Sequence, residues 1–203
     1  MKMEKISDMI SKLVFIGTPQ FSVPSLQALI DSPFKPVLVI TQPDKPKGRK
    51  LVLISPEIKL KADEYNIPVI QPDNINTPDV IKLLKEINPD IIVTISYGGY
   101  IGREIRKLPR FSCINIHPSI LPLYRGATPI QNTLINGDRE TAISIFKLVS
   151  KMDAGPLLYQ NRYRIDDKIC FTELEEFLAQ KSAEDLLKFL NLINLLENDS
   201  DYL

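Results

Sequence analysis

One histidine, two cysteines and eight glycines are all that 203 residues supply of those three types, and the 25 lysines and arginines cancel the 25 aspartates and glutamates. Each shortage excludes something. A single histidine, His117, with no clustered cysteines does not assemble a zinc centre, so no metal is expected. Cys113 and Cys170 define no disulfide framework and read as reduced, partly buried thiols of a cytosolic protein. With no net charge, no global field draws the molecule to nucleic acid or membrane, and any basic contact must be local. The glycines form no Gly-x-Gly-x-x-Gly. Gly17-Thr18-Pro19 follows the first apolar run but lacks the glycines that let a dinucleotide pyrophosphate approach the backbone, so an NAD site is not expected. No apolar stretch nears the roughly 20 residues that span a bilayer. Residues 1–17 have too short an apolar run, with the wrong flanks, for a signal peptide. The expectation is a cytoplasmic protein with no membrane partner and no stable protein partner.

What is present is ordinary globular composition, 44% hydrophobic and 25% charged, in a chain long enough for one good-sized domain. Residues 1–12 read as a polar leader, 13–197 as the folded domain and 198–203 as a tail. Short apolar runs at Leu13–Gly17, Pro36–Thr41, Pro68–Gln71, Asp90–Ser96, Cys113–His117 and Ala142–Val149 mostly lack strict alternation, as strands covered on both faces do. Pro156–Ile165 reads as an extra strand. Helices are expected at Pro24–Ile30, from an Ser55 N-cap with Pro56 at N1 to about Tyr65, and from Thr77-Pro78, where Val80, Ile81, Leu83, Leu84 and Ile87 form one apolar face. Thr128-Pro129 opens another that Gly137 closes, and Thr172 with Glu175 has capping-box spacing for a final helix to about Leu196. Strand–helix–strand units in series imply right-handed crossovers. The fold expected is α/β, an open, doubly wound, mainly parallel sheet with an extra C-terminal strand and helix. Ligands of such sheets bind beyond the carboxyl ends of the strands.

That rule directs attention to Cys113-Ile114-Asn115-Ile116-His117-Pro118. Asn115 and His117 are two apart at a strand's end, so both side chains leave one face, and Pro118 stops the pairing. The lone histidine thereby stands beside an amide with two donors. A histidine satisfied by a backbone carbonyl in a turn is the plain alternative. Asp153, in Lys151-Met152-Asp153-Ala154-Gly155-Pro156, is a second candidate, and an aspartate in a turn is commonly structural.

Several segments together resemble the catalytic domain of the methionyl-tRNA formyltransferase family. They are Phe15-Ile16-Gly17-Thr18-Pro19-Gln20-Phe21-Ser22-Val23-Pro24, Thr41-Gln42-Pro43-Asp44-Lys45-Pro46-Lys47-Gly48-Arg49, Asn115-Ile116-His117, Ser119-Ile120-Leu121-Pro122, Arg125-Gly126-Ala127-Thr128-Pro129-Ile130-Gln131 and Asp153-Ala154-Gly155-Pro156. The resemblance runs from Leu13 to about Leu190. It implies that 13–197 is a Rossmann-like formyltransferase catalytic domain, without the C-terminal barrel domain that full-length members carry. It also implies transfer of a formyl group from 10-formyltetrahydrofolate to a primary amine, that of charged initiator methionyl-tRNA or of a small amine such as an amino sugar nucleotide. A folate- or tRNA-binding remnant without turnover is a third reading.

Under that resemblance Asn115 and His117 donate hydrogen bonds to the developing oxyanion and Asp153 relays a proton from the amine to the leaving folate nitrogen, directly or through water. The donor lies along Tyr97-Gly98-Gly99-Tyr100-Ile101 and Ser119-Ile120-Leu121-Pro122. Members usually carry an apolar residue near Gly99 and a proline at Gly102. Lys45, Lys47, Arg49 and Lys50 cluster where the family meets the acceptor arm of tRNA, although the chain then turns apolar at Leu51-Val52-Leu53-Ile54. Arg125 is a candidate positioning residue beside the acceptor.

Overall fold

A computed structural model describes residues 10–47 and 51–198. Its order is β1 (Leu13–Gly17), a 3-10 turn at Gln20–Ser22, α1 (Val23–Ile30), β2 (Leu38–Ile40), β3 (Lys45–Lys47), β4 (Val52–Ile54), α2 (Glu57–Glu64) and β5 (Val69–Ile70). There follow α3 (Pro78–Ile87), β6 (Ile91–Ile95), α4 (Arg103–Arg106), β7 (Ser112–His117), α5 (Pro129–Ile135), β8 (Glu140–Lys147), β9 (Leu157–Arg164) and α6 (Phe171–Asn198). Seven strands form one sheet in the order β5-β2-β1-β6-β7-β8-β9, while β3 and β4 pair as a separate hairpin. The pairs from β5 to β7 are parallel, and β8 and β9 are antiparallel. The expected α/β sheet is therefore present. Its parallel part ends at β7.

The absence of alternation in the apolar runs has its explanation in the two faces. Along β1, Leu13 and Phe15 enter one core while Val14 and Ile16 enter the other. The first core is roofed by α1, α2, α5 and α6, and the second by α3 and α4. β6 and β7 follow suit, with Val93, Ile114 and Ile116 in the first core and Ile92 and Cys113 in the second. Burying each such side chain stabilises the fold by about 1.5–3 kcal/mol. No helix among the described residues is long and apolar enough to cross a membrane.

Two helix starts differ from the expectation. α2 begins after Pro56, and the Ser55 hydroxyl donates to Asp44 Oδ2 (2.9 Å) rather than capping the helix. Asp44 also takes Lys59 Nζ (3.1 Å) and Gln71 Nε2 (2.6 Å), tying the hairpin's base to α2 and β5, and this polar cluster outcompetes a local cap. α6 begins at Phe171, so Cys170 is the capping residue, and its N–H donates to Glu173 Oε2 (2.8 Å); the reciprocal spacing lies two residues earlier than Thr172 and Glu175 suggested. This leaves Cys170 exposed, whereas Cys113 is buried. Ile10, inside the expected leader, is buried in the first core.

Candidate active site

The carboxyl ends of β6 and β7 form the floor of a cleft of about 670 Å³. Alternation along β7 sends Asn115 and His117 to the same side, and both line this cleft. Both strands are pinned on each flank: Thr94 pairs with Asn115, and His117 pairs with Ser144 of β8. These side chains therefore have little freedom to wander.

Asp153 arrives from the connection between β8 and β9. At the root of that connection, Lys147 N–H donates to Pro156 O (2.9 Å). A side chain on Gly155 would overlap the Lys147 carbonyl, so only glycine lets the loop leave the hairpin at this angle and fold back over β7. Asp153 takes a left-handed backbone conformation (φ 45°), which aspartate tolerates better than most residues. Its Oδ2 accepts the Gly126 N–H (2.7 Å), and its carbonyl accepts Arg125 Nε (2.7 Å). Gly126 itself sits at φ 106°, a conformation that favours glycine.

His117 is 5% exposed, and its imidazole is held from two sides. Nε2 lies 2.9 Å from the Tyr124 carbonyl oxygen. A carbonyl accepts only, so Nε2 carries a hydrogen. Nδ1 then faces Asp153 Oδ2 at 3.7 Å, and it is the nitrogen left to exchange protons. Tyr124 is fixed in turn by its hydroxyl, which donates to Asp138 Oδ2 (2.6 Å). Both sequence alternatives for His117 thus describe it: one ring nitrogen is satisfied by a turn carbonyl, and the other looks into the cleft beside a carboxylate.

The structure brings Asn115, His117 and Asp153 together with all five residues of Tyr97, Gly98, Gly99, Tyr100 and Ile101 around this cleft. Gly98 has φ 77°. Burial pushes the Tyr97 hydroxyl up. The loop is clamped at its far end, where Asn76 Nδ2 donates to Tyr100 O (2.8 Å) and Gly102 N–H donates to Asn76 Oδ1 (2.6 Å). Ser119, Ile120, Leu121 and Pro122 are not among the cleft's lining residues. They form a turn after Pro118: Ser119 Oγ donates to Leu123 O (2.7 Å), Ser144 Oγ donates to Ser119 O (2.6 Å), and the Leu121–Pro122 bond is cis. Arg125 is exposed and latches the Asp153 loop. Lys45 and Lys47 lie on β3, opposite Ile54 and Val52, while Arg49 and Lys50 fall outside the described residues.

Sequence reasoning missed several cleft residues. Thr94 had a signal, being the one polar residue of Ile91–Ile95. Tyr124, which holds His117 without lining the cleft, had none, because it meets the imidazole through its backbone carbonyl. Phe171 and Glu175, one helical turn apart at the start of α6, also reach the cleft from far along the chain.

Comparison with known proteins fits this geometry. Residues 11–190 match the family described as formyl transferase. The chain is 42% identical over 179 residues to a protein named methionyl-tRNA formyltransferase from Thermotoga maritima, covering 88% of this chain and 57% of that one. It is 43% identical over 183 residues to the protein of the same name from Kosmotoga olearia, covering 90% and 59%. The chain thus spans a little under three fifths of the length of these relatives. Among solved structures, phosphoribosylglycinamide formyltransferase from Bacillus halodurans superposes with a TM-score of 0.72 over 93% of this chain and 98% of its own. At 21% identity that likeness concerns the fold. With its mostly parallel sheet, its cleft at the strand ends and a match across residues 11–190, this chain belongs to the formyl transferase family.

Proposed function

We propose that the chain transfers a formyl group from 10-formyltetrahydrofolate to a primary amine, that of methionyl-tRNA. One observation carries the reading: a carboxamide, an imidazole and a carboxylate from two separate segments meet in one cleft. The names of the relatives support the acceptor, and membership of the formyl transferase family supports a folate-derived donor.

The chemistry follows from the placement of these groups. The amine nitrogen bonds to the formyl carbon, and the carbonyl oxygen gathers negative charge. Asn115 Nδ2 and a protonated His117 Nδ1 are the donors for that oxygen, and a preorganised donor of this kind lowers the barrier by about 3–4 kcal/mol. Nε2, tied to the Tyr124 carbonyl, keeps the ring from turning. Asp153 accepts a proton from the attacking amine. As the bond between the formyl carbon and folate N10 breaks, the proton passes to N10. Such positioned proton transfer contributes about 10²–10⁴-fold. The donor's flat ring rests along Tyr97–Ile101, where two adjacent glycines leave the backbone open. Lys45, Lys47, Arg49 and Lys50 contact acceptor phosphates, in a salt-dependent manner.

The test is transfer of label from 10-formyltetrahydrofolate to charged initiator tRNA or to a panel of amino sugar nucleotides. Formylated methionyl-tRNA is the expected product. Transfer to a small amine alone would reassign the acceptor. Donor binding without transfer to any amine would overturn the catalytic reading.

A further inference from the structure

Thr94 Oγ1 lies 2.7 Å from Asn115 Oδ1 and 2.8 Å from the Ile114 carbonyl oxygen. A threonine hydroxyl has one hydrogen, so it cannot donate to both. The choice matters because the two ends of a carboxamide are alike in shape and opposite in hydrogen-bonding sense. Whichever end meets Thr94 decides which end faces the cleft. If the hydroxyl hydrogen goes to Asn115 Oδ1, the amide presents Nδ2 and its hydrogens to the ligand. If it goes to Ile114 O, Oγ1 becomes an acceptor, Nδ2 turns inward to it, and Oδ1 faces the ligand instead.

We infer that Thr94 is a positioning residue that donates to Asn115 Oδ1 and so aims the carboxamide N–H at the reacting carbonyl oxygen. Thr94 is 2% exposed and sits in mid-strand, paired with Ile16 on one side and Asn115 on the other. Its β-branched side chain has restricted χ1 freedom, so the hydroxyl is delivered at a fixed place. The Ile114 carbonyl belongs to the β-ladder, where backbone donors are at hand. Asn115 Oδ1, in contrast, has Thr94 as its one hydrogen-bond partner among the described residues. Thr94 touches no substrate in this scheme; it acts through Asn115.

The inference rests on the reaction proposed above, so its test has two arms. In the kinetic arm, Thr94→Val preserves shape and removes the hydroxyl. It should lower kcat about 10- to 100-fold with KM for donor and acceptor within about twofold, because a misaimed donor affects the transition state more than binding. Thr94→Ser restores the hydroxyl and should recover kcat to within about threefold. In an Asn115→Ala background, Thr94→Val should cost less than about twofold, since two residues of one unit are not additive. In the second arm, protein labelled with ¹⁵N-asparagine is examined by NMR without any substrate. The side-chain NH₂ signal of Asn115, assigned by its loss in Asn115→Ala, should move in Thr94→Val and return in Thr94→Ser. An unmoved signal, a full rate in Thr94→Val, or additive losses in the double variant would overturn the inference. An inactive wild-type protein would count against the proposed reaction, and the NMR arm would still decide the Thr94–Asn115 bond.

Discussion

His117 and Asp153 share a geometry in which loss of one group leaves the other in place, and this makes them separable by mutation. The imidazole is anchored through Nε2, and the carboxylate through the Gly126 N–H. His117→Ala should therefore reduce turnover by at least about 100-fold while the circular-dichroism melting curve stays close to wild type. Asp153→Asn is the sharper probe. An asparagine oxygen still accepts from Gly126 and still tolerates the left-handed backbone, but it no longer takes up a proton. Turnover should fall by about 100-fold with the loop and the melting curve preserved. Near-normal rates in either variant would remove that residue from the mechanism. That Asn115 and His117 share one face at a strand's end was legible from their spacing, whereas Asp153, on a loop, was singled out with the family resemblance. The Tyr124 carbonyl was not legible, since any residue at 124 has a carbonyl, and what aims it is the path of the turn together with the distant Asp138 that holds the Tyr124 hydroxyl.

Elements are held in register by contacts that the primary structure announces poorly. Gly155 sits there within a turn segment with no contact to announce, yet a methyl at that position would collide with the Lys147 carbonyl. Gly155→Ala should shift the 148–156 loop and lose at least about 10-fold in turnover, because misplacing a reacting group by about 1 Å costs on the order of 10²-fold; unchanged kinetics would show that the loop is more forgiving than its geometry implies. A second hidden tie is Asp185 in α6, fully buried beneath β9. It accepts Tyr163 Oη (2.5 Å), Asn161 Nδ2 (3.1 Å) and Tyr159 Oη (3.3 Å), with Lys188 Nζ at 3.3 Å. Removing the carboxylate strands those donors, so Asp185→Ala should cost about 2–4 kcal/mol in urea unfolding. A loss under about 1 kcal/mol would mean that water replaces the carboxylate freely. Nothing in the helical pattern around Asp185 marks it as buried, since its partners Tyr159, Asn161 and Tyr163 lie on β9. The Ser55 cap was misjudged for a related reason, displaced by its bond to distant Asp44, whereas Thr172 lost to the same spacing two residues earlier, at Cys170 and Glu173.

At the scale of the whole molecule, the sheet was the most legible feature. Buried parallel strands need continuous apolar runs, and those runs were found within two residues of their observed ends, as at Leu13–Gly17 and Ile91–Ile95. The β3–β4 hairpin was not legible, because Val52, Leu53 and Ile54 are exposed and obey no burial pattern. Burial of the sheet also sets a pH limit. Cys113, in the second core, has its thiol pushed up to about 12 by burial, and burial with Asp185 alongside pushes the Tyr163 hydroxyl up as well. Both groups fold in the protonated form, so their contribution is fully present below their unfolded pKa values, near 9 for the thiol and 10 for the phenol, and is lost as pH rises through the folded values. From neutral pH, unfolding free energy should be level up to about pH 9 and then decline toward pH 12, less steeply in Cys113→Ala. A level profile throughout would contradict burial of these groups. The seam at β7 has a further consequence. The amide and imidazole belong to the parallel half, whereas the carboxylate is delivered by the two antiparallel strands added beside it. On the mechanism proposed above, a nascent chain complete through β7 would be chemically silent until its last hairpin docks. A nick between Gly137 and Glu140 would part the trio across two fragments, and catalysis regained on mixing them would report their reassembly.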